Sequence, residues 1–440
     1  MIDAENGSNL FRETQRIRLM KRMTCVMLAM LLTLHVAVAT APAAEVLKPG
    51  DHVAIIGDSI TEQKLYSNFM ECYLLMCQPV NGLTATQFGW GGETAPGFYN
   101  RINHALLPFS ATVATTCYGM NDGGYSPMDD AKAKRYRDAQ TAIVQTMKKN
   151  GVRFIVVGSP GAVDFDKFRN DPKQAEMYNK TLAALRDIAK EVAAAEGVTF
   201  GNVFDPMIAA MGPAKEKYGK GYHVCGGDGF HPDQNGHLIM AYAFLKALGV
   251  DGNIGTITVD LAADKATATD GHKVLSAKAG TVEIESSRYP FCFYGDPKST
   301  SATTGIIEFF PFNDDLNRYM LVVKSPGGDK LKVTWGDKSK EFSAADLAKG
   351  INLAAEFLEN PFSGPFREVQ QKVGQKQNME THLIKTLMHS LPGYASFLPE
   401  EKEALTRIGG ALVTKDKEAR QAVAQAVKPV KHTIKIEAVK

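Results

Sequence analysis

Little cysteine, a net charge of only +2 and no bilayer-length apolar run characterise this chain of 440 residues. Its six cysteines form no paired Cys-x-x-Cys motif, which sets aside the usual zinc and dithiol frameworks. Neither His-Glu-x-x-His nor Gly-x-x-x-x-Gly-Lys-[Ser/Thr] occurs, so zinc-protease and P-loop readings lack their signatures. Gly-x-Ser-x-Gly is missing as well, and with it the α/β-hydrolase elbow. Five of the 50 basic and three of the 48 acidic residues lie in positions 1–44, and the remaining 45 of each sign cancel. Without a basic stripe or acidic tail, nucleic acid and anionic membrane are poor partners. At 44% hydrophobic and 22% charged the chain reads as globular, and its length favours two units over one core.

The N-terminus carries an export pattern. Lys21 and Arg22 precede an apolar stretch at 26–39, followed by Ala41-Pro42-Ala43, which suits a small-residue cleavage site. The stretch is too short and too weakly flanked for a membrane span, so stable insertion after cleavage is not expected. Residues 1–19 are polar and precede a second methionine, Met20, the expected start. Cys25 lies before the apolar run and is a poor lipid-attachment site. Of the five cysteines beyond the signal, Cys117 and Cys225 lie near sequence motifs and are the pair a bridge would join. Buried apolar thiols are the preferred reading.

Between 45 and 250, strands alternate with helices. Segments 53–56, 85–88, 113–118, 154–157 and 199–203 read as strands, and 66–77, 99–107, 130–149, 174–195 and 235–248 as helices. This alternation predicts a parallel sheet covered on both faces, with ligands at the carboxyl ends of its strands. From 251 to 348 the period shortens to two, as in Ile257, Val259 and Leu261 or Leu331, Val333 and Trp335, which predicts a small antiparallel sheet. Residues 349–426 turn helical, and 433–437 form a last strand expected to pair near 256–261. No convergent acid–base group is visible beyond 250, so stability and substrate shaping are the expected roles of 251–440.

Four motifs stand at strand ends. Gly57-Asp58-Ser59 offers a nucleophile, although Ser59 also suits a helix N-cap. Gly89-Trp90-Gly91-Gly92-Glu93-Thr94 lets backbone N–H groups approach a ligand, or simply makes a tight turn. Gly119-Met120-Asn121-Asp122 places an amide that can donate to an oxyanion, or an Asx turn. Asp228-Gly229-Phe230-His231 sets an acid three residues before a base, the spacing at which one turn presents both to a distant serine. His237 suits a structural place in a helix. His223 lacks a carboxylate three residues earlier, yet lies near enough in sequence to line a cleft.

Taken together and in this order, the four blocks resemble the SGNH (GDSL-type) hydrolase family over about 50–250. The resemblance implies a flavodoxin-like α/β/α three-layer fold with a parallel sheet. It implies Ser59 as nucleophile, His231 as base and Asp228 as its orienting acid. The Ser59 and Gly92 N–H groups and the Asn121 side chain would form the oxyanion hole. Gln87 and Phe88 depart from the family, which often has asparagine nearby. No metal or organic cofactor is called for. Trp90, Tyr118, Tyr125 and Phe230 adjoin the motifs and are candidates to contact substrate. The expected function is an exported serine esterase, periplasmic or extracellular, that removes small acyl groups, acetyl first, from carbohydrate. A non-catalytic glycan-binding or scaffolding protein on the same fold is the alternative from another class. A lysophospholipase or thioesterase would use the same triad with another pocket.

Overall fold

Strand β1 (His52–Gly57) is buried at every position, and the run Val53-Ala-Ile-Ile explains why: with no polar face, it can sit only inside a covered sheet. In the computed structural model, which describes residues 46–439, β1 lies between β2 (Thr84–Gln87) and β3 (Val113–Cys117). Strands β4 (Phe154–Gly158) and β5 (Thr199–Gly201) follow, giving the order β2-β1-β3-β4-β5. All four pairings are parallel. After β1 come the short helix α1 (Ser59–Glu62) and α2 (Tyr66–Met76), and α2 packs on the last helix of this region, α7 (Gln234–Ala247). On the other face α3 (Ala95–Ala105), α4 (Asp130–Lys149) and α5 (Pro172–Ala195) pack in sequence. The three-layer α/β/α arrangement expected from sequence is the one present. Helix α6 (Phe204–Tyr218) has no counterpart among the expected elements, because Gly212 and Pro213 interrupt its pattern.

Beyond α7 the expected single antiparallel sheet is replaced by two. Strands β6 (Asn253–Asp260), β7 (Lys265–Ala268), β10 (Arg318–Lys324) and β13 (Ile351–Asn352) form a mixed sheet, with β10 and β6 parallel. The second sheet is antiparallel, in the order β12 (Lys338–Ser343), β11 (Lys330–Trp335), β14 (Val430–Ala438), β9 (Thr281–Ser286), β8 (His272–Lys278). The return strand β14 therefore pairs with β9 and β11 and not near 256–261. Its inward residues Val430, His432, Ile434 and Ile436 match the apolar sides of β9 and β11, and both edges of β6 are already taken by β7 and β10. The two sheets face each other across Tyr319 and Trp335, whose ring centroids are 5.6 Å apart.

The helices of 349–426 begin on these sheets, where Phe362 packs against Tyr319, Trp335 and His432, and then reach back to the parallel one. Helix α8 (Ser363–Thr381) runs through a π-helical stretch (His382–Met388) into α9 (His389–Phe397), and α10 (Lys402–Ala426) returns beside it. Both α8 and α10 pack on the edge strand β2, and α8 also packs on α2. Burial of charge marks this junction. Lys376 Nζ lies 2.9 Å from Glu71 on α2, bonds to Glu380, and donates to the Ala85 carbonyl at 2.7 Å. Burial works against the Lys376 charge, but the two carboxylates outweigh it and hold its pKa above the ordinary value. The five cysteines among the described residues are buried and unpaired, so Cys117 and Cys225 form no bridge. Met20, Cys25 and the export pattern lie outside the described residues. No described helix is long and apolar enough to cross a membrane.

Candidate active site

The site lies at the carboxyl end of the sheet, where β1 and β3 send their chains to opposite faces, the crevice such a strand order opens. At the end of β1, Asp58 and not Ser59 caps the following helix: its Oδ1 accepts the Ile60 N–H at 3.0 Å. That frees the Ser59 hydroxyl. Burial pushes the Asp58 carboxyl up to about 7, with Asp122 and Glu93 adding to the effect.

Ser59 Oγ stands 2.8 Å from His231 Nε2, and His231 Nδ1 stands 2.7 Å from Asp228 Oδ2. Asp228 accepts Nδ1–H with one oxygen while the other takes the N–H groups of Phe230 (3.0 Å) and His231 (2.9 Å). Partial burial opposes the carboxylate. The two N–H groups and the imidazole outweigh that effect and hold its pKa below the ordinary range. A proton fixed on Nδ1 leaves the Nε2 lone pair facing the serine, the tautomer a general base requires. The turn depends on Gly226, at φ +85°, where a Cβ would stand 1.6 Å from the His231 carbonyl oxygen. The His231 side chain keeps 29% of its surface open, so the relay is reachable from solvent.

The other wall carries donors. Gly92 has φ +74° and open space where a side chain would be, and among the described residues its N–H and that of Ser59 reach no backbone acceptor. The Asn121 amide is held at both ends: Nδ2 donates to the Glu93 carbonyl at 3.0 Å, and Oδ1 accepts the Tyr125 hydroxyl at 2.8 Å. One Nδ2 hydrogen remains free. Asp122 joins the two loops by accepting from the N–H groups of Ala95 (2.9 Å) and Gly119 (3.0 Å). The arrangement offers a hydroxyl nucleophile, an imidazole base and a cluster of N–H groups, the parts that acyl transfer needs.

The four residues expected near substrate fare differently. Tyr118 is fully buried, stacks on Phe98 and donates to Glu93 Oε2 at 2.6 Å, so it is a core residue and not a contact. Its place inside the sheet's end, under the loop, was hidden by its adjacency in sequence. Tyr125 orients Asn121 through its hydroxyl. Phe230 packs 4.3 Å from the His231 ring and 5.6 Å from Tyr125, which keeps it on the rim. Trp90 borders a cleft of about 340 Å³ with Gly92, Asn100, Arg101, His104 and His389. His237 is structural. Its Nδ1 accepts the Tyr66 N–H at 3.1 Å, and burial lowers its pKa to about 3. His223 Nδ1 lies 3.6 Å from Asp233 Oδ2, and its carbonyl accepts from Asn235 Nδ2 at 3.0 Å. Two residues to which the sequence assigned no role also matter here: Glu62, and Gln87, which stood out only as a departure from the family pattern. Their side chains bond to the N–H groups of Gly91 and Gly89.

Residues 55–239 match the model of the GDSL-like lipase/acylhydrolase family. Among solved structures, a gut microbial diltiazem-metabolizing enzyme superposes with a TM-score of 0.67 at 22% identity, covering 89% of this chain and 98% of that one. An acetylxylan esterase from Geobacillus stearothermophilus shares 19% identity over 46% of this chain and 95% of its own, with a TM-score of 0.36. No curated protein matches the chain in sequence. The α/β/α fold and the family match define an SGNH hydrolase, an enzyme that cleaves carboxylic esters. That family match spans 185 of the 440 residues and coincides with the α/β/α region.

Proposed function

We propose that Ser59, His231 and Asp228 act as a catalytic triad that removes small acyl groups, acetyl first, from carbohydrate outside the cytoplasm. The observation that carries this reading is the continuous relay from Ser59 Oγ to His231 to Asp228, with links of 2.8 and 2.7 Å. Ser59 attacks the ester carbonyl while His231 Nε2 takes its proton, and Asp228 stabilises the imidazolium. The tetrahedral oxyanion is held by the N–H groups of Ser59 and Gly92 and by Asn121 Nδ2, each such donor being worth roughly 3 kcal/mol of barrier. His231 then protonates the leaving alcohol, and water repeats the sequence in reverse on the acyl-enzyme. The cleft beside Gly92 supports a hydroxyl-rich leaving group: Asn100, His104 and His389 bring polar side chains to it beside the Trp90 ring. The export pattern at 21–43 supports an extracytoplasmic site of action.

A fluorophosphonate should label Ser59, and turnover of p-nitrophenyl esters should fall from acetyl through butyryl to octanoyl. Acetate should be released from acetylated polysaccharide. Preference for octanoyl would move the reading to the lipase branch. Failure to label, together with tight glycan binding, would favour the non-catalytic alternative.

A further inference from the structure

The loop that carries Gly92 has little secondary structure of its own. Gly89 to Thr94 lies between β2 and α3, and its shape is imposed from outside. A Cβ at Gly89 would stand 2.3 Å from the Glu62 nitrogen, so the loop is pressed directly against α1, the turn that begins with Ser59. Two side chains tie it down. Gln87 Oε1 accepts the Gly89 N–H at 2.5 Å, and Glu62 Oε2 accepts the Gly91 N–H.

Both ties are themselves held by the C-terminal helix. Gln87 Nε2 donates to Thr381 Oγ1 at 2.7 Å. Lys385 Nζ lies 2.8 and 3.0 Å from the two oxygens of Glu62. The same ammonium sits 5.1 Å from the centre of the Trp90 ring, which Arg101 approaches at 5.0 Å and His389 meets edge-on at 4.7 Å. Thr381 and Lys385 are four residues apart, and Lys385 falls in the π-helical stretch His382–Met388. Such wide turns cost regular hydrogen bonding and recur where a helix must aim a particular side chain.

We propose that the C-terminal region is a working part of the active site: Lys385, acting through Glu62 and assisted by Thr381 through Gln87, positions the glycine loop that presents the Gly92 N–H to the oxyanion. This deepens the triad reading and rests on it. Lys385 touches no reacting atom and is a positioning residue. Its ammonium fixes a carboxylate, the carboxylate fixes Gly91, and Gly91 fixes the adjacent donor. An oxyanion donor acts through geometry set in advance, so a loop free to drift loses transition-state stabilisation while leaving substrate binding nearly intact.

The test compares Lys385→Ala, Lys385→Arg and Glu62→Gln with the wild-type full chain, using p-nitrophenyl acetate and amide hydrogen exchange. Lys246→Ala, which removes an exposed ion pair with Asp315 on α7, controls for loss of charge. Lys385→Ala should lower kcat about tenfold or more with KM within about twofold, as expected for an interaction felt in the transition state. Lys385→Arg should recover most of kcat. The Ala and Gln variants together should cost no more than the larger single loss, because both cut the same tie. Exchange at Gly91, whose N–H the Glu62 carboxylate holds, should quicken in Lys385→Ala while the amides of β1 and β3 stay protected. Unchanged kcat in a folded Lys385→Ala variant would overturn the proposal, as would loss of activity without faster exchange at Gly91. Faster exchange in a chain whose wild type hydrolyses no ester would defeat the triad reading on which it rests.

Discussion

Two places in this molecule bring a serine hydroxyl against an imidazole, and only one of them looks able to do chemistry. In the first region Ser59 meets His231 at 2.8 Å. In the second, Ser286 meets His432 at 3.0 Å, with His272 2.8 Å away on the other side and the Tyr319 hydroxyl 3.2 Å from His432. This second cluster was expected to be absent, since no convergent acid–base group is visible in the sequence beyond 250. The pairing distances barely distinguish the two. Their surroundings do. His231 is partly open and backed by a carboxylate, whereas Ser286 and His432 are buried between two sheets. His432 Nδ1 accepts the Trp335 indole N–H at 3.1 Å. Indole can only donate, so Nδ1 is bare, and the remaining proton on Nε2 points at Ser286 or Tyr319. That imidazole is already a donor toward the hydroxyl and cannot take its proton. A serine–histidine contact thus becomes a nucleophile through tautomer and access, and the partner of Nδ1 decides the tautomer.

The sharpest way to break this comparison is to alter each cluster. Asp228→Asn should lower kcat by roughly 10³–10⁴ with the fold intact, because an amide can hold the wrong tautomer in place. Ser59→Ala should cost at least as much. Ser286→Ala should leave kcat within about twofold and lower stability by about 1–3 kcal/mol, since buried partners lose a hydrogen bond. Steady-state kinetics and urea unfolding of the three variants measure both. A large kcat loss in Ser286→Ala with unchanged stability would show that the second cluster is more than packing.

A smaller effect concerns the junction of the two regions. Lys376 is 2% exposed and serves Glu71 and Glu380 at once, so Lys376→Met strands two buried carboxylates. Breaking such a group by removing one partner costs about 3–5 kcal/mol. Replacing all three residues by apolar ones should recover much of that loss, because the charges are costly to bury even when paired. For the same reason a chain ending at Gly249 should not yield a soluble, active fragment: it would leave Glu71 on α2, and Thr86 and the Gln87 N–H on the uncovered edge β2, without Lys376, Asp416 and Glu380. Expression and chemical unfolding decide both points, and a stable truncated enzyme would show the regions to be separable after all.

The parallel sheet was legible because its strands are short, rich in apolar and β-branched residues and alternate with helices, so their number and positions along the chain followed from local pattern. The four motif blocks were legible for a related reason, each lying at a strand end. Partners of β14 were not. Alternation at Val430, His432, Ile434 and Ile436 says that one face is buried, but carries nothing about which strand lies beside it. Helix α8 was misleading in a different way. Nothing local marks Lys376, Gln377 and Glu380 as buried, and only their partners on α2 and β2, some 300 positions earlier, make them a core. Tyr118 shows the converse, since adjacency to Gly119 and Asn121 suggested contact with substrate while its side chain points into the sheet's end. Lys385 could not be found from pattern, because its meaning depends on Glu62.

The subtlest consequence of the tautomer argument lies in acid. Burial lowers the His432 pKa to about 3, with His272 adding a further opposing charge. In the unfolded chain the same group titrates near its ordinary value of about 6.5. Between those values the unfolded state binds a proton that the folded state refuses, so acidification in this window favours unfolding. The sign is opposite for Asp58 and Asp122, whose carboxyls are pushed up to about 7 and about 6, mainly by burial. Those groups take protons in the folded state above their unfolded range and favour folding as pH falls through that interval. Wild-type stability alone therefore mixes both signs, and a difference between two proteins is needed. His432→Gln keeps polar atoms in the site and removes only the titration. The stability advantage of wild type over this variant should be constant above about pH 7.5. It should then shrink as pH falls through 6.5, by up to about 1.4 kcal/mol per pH unit. Urea unfolding at pH 8, 6.5, 5.5 and 4.5 measures it. An advantage that stays level down to pH 4.5 would mean that His432 is protonated in the fold, and that its Nδ1 does not accept from Trp335.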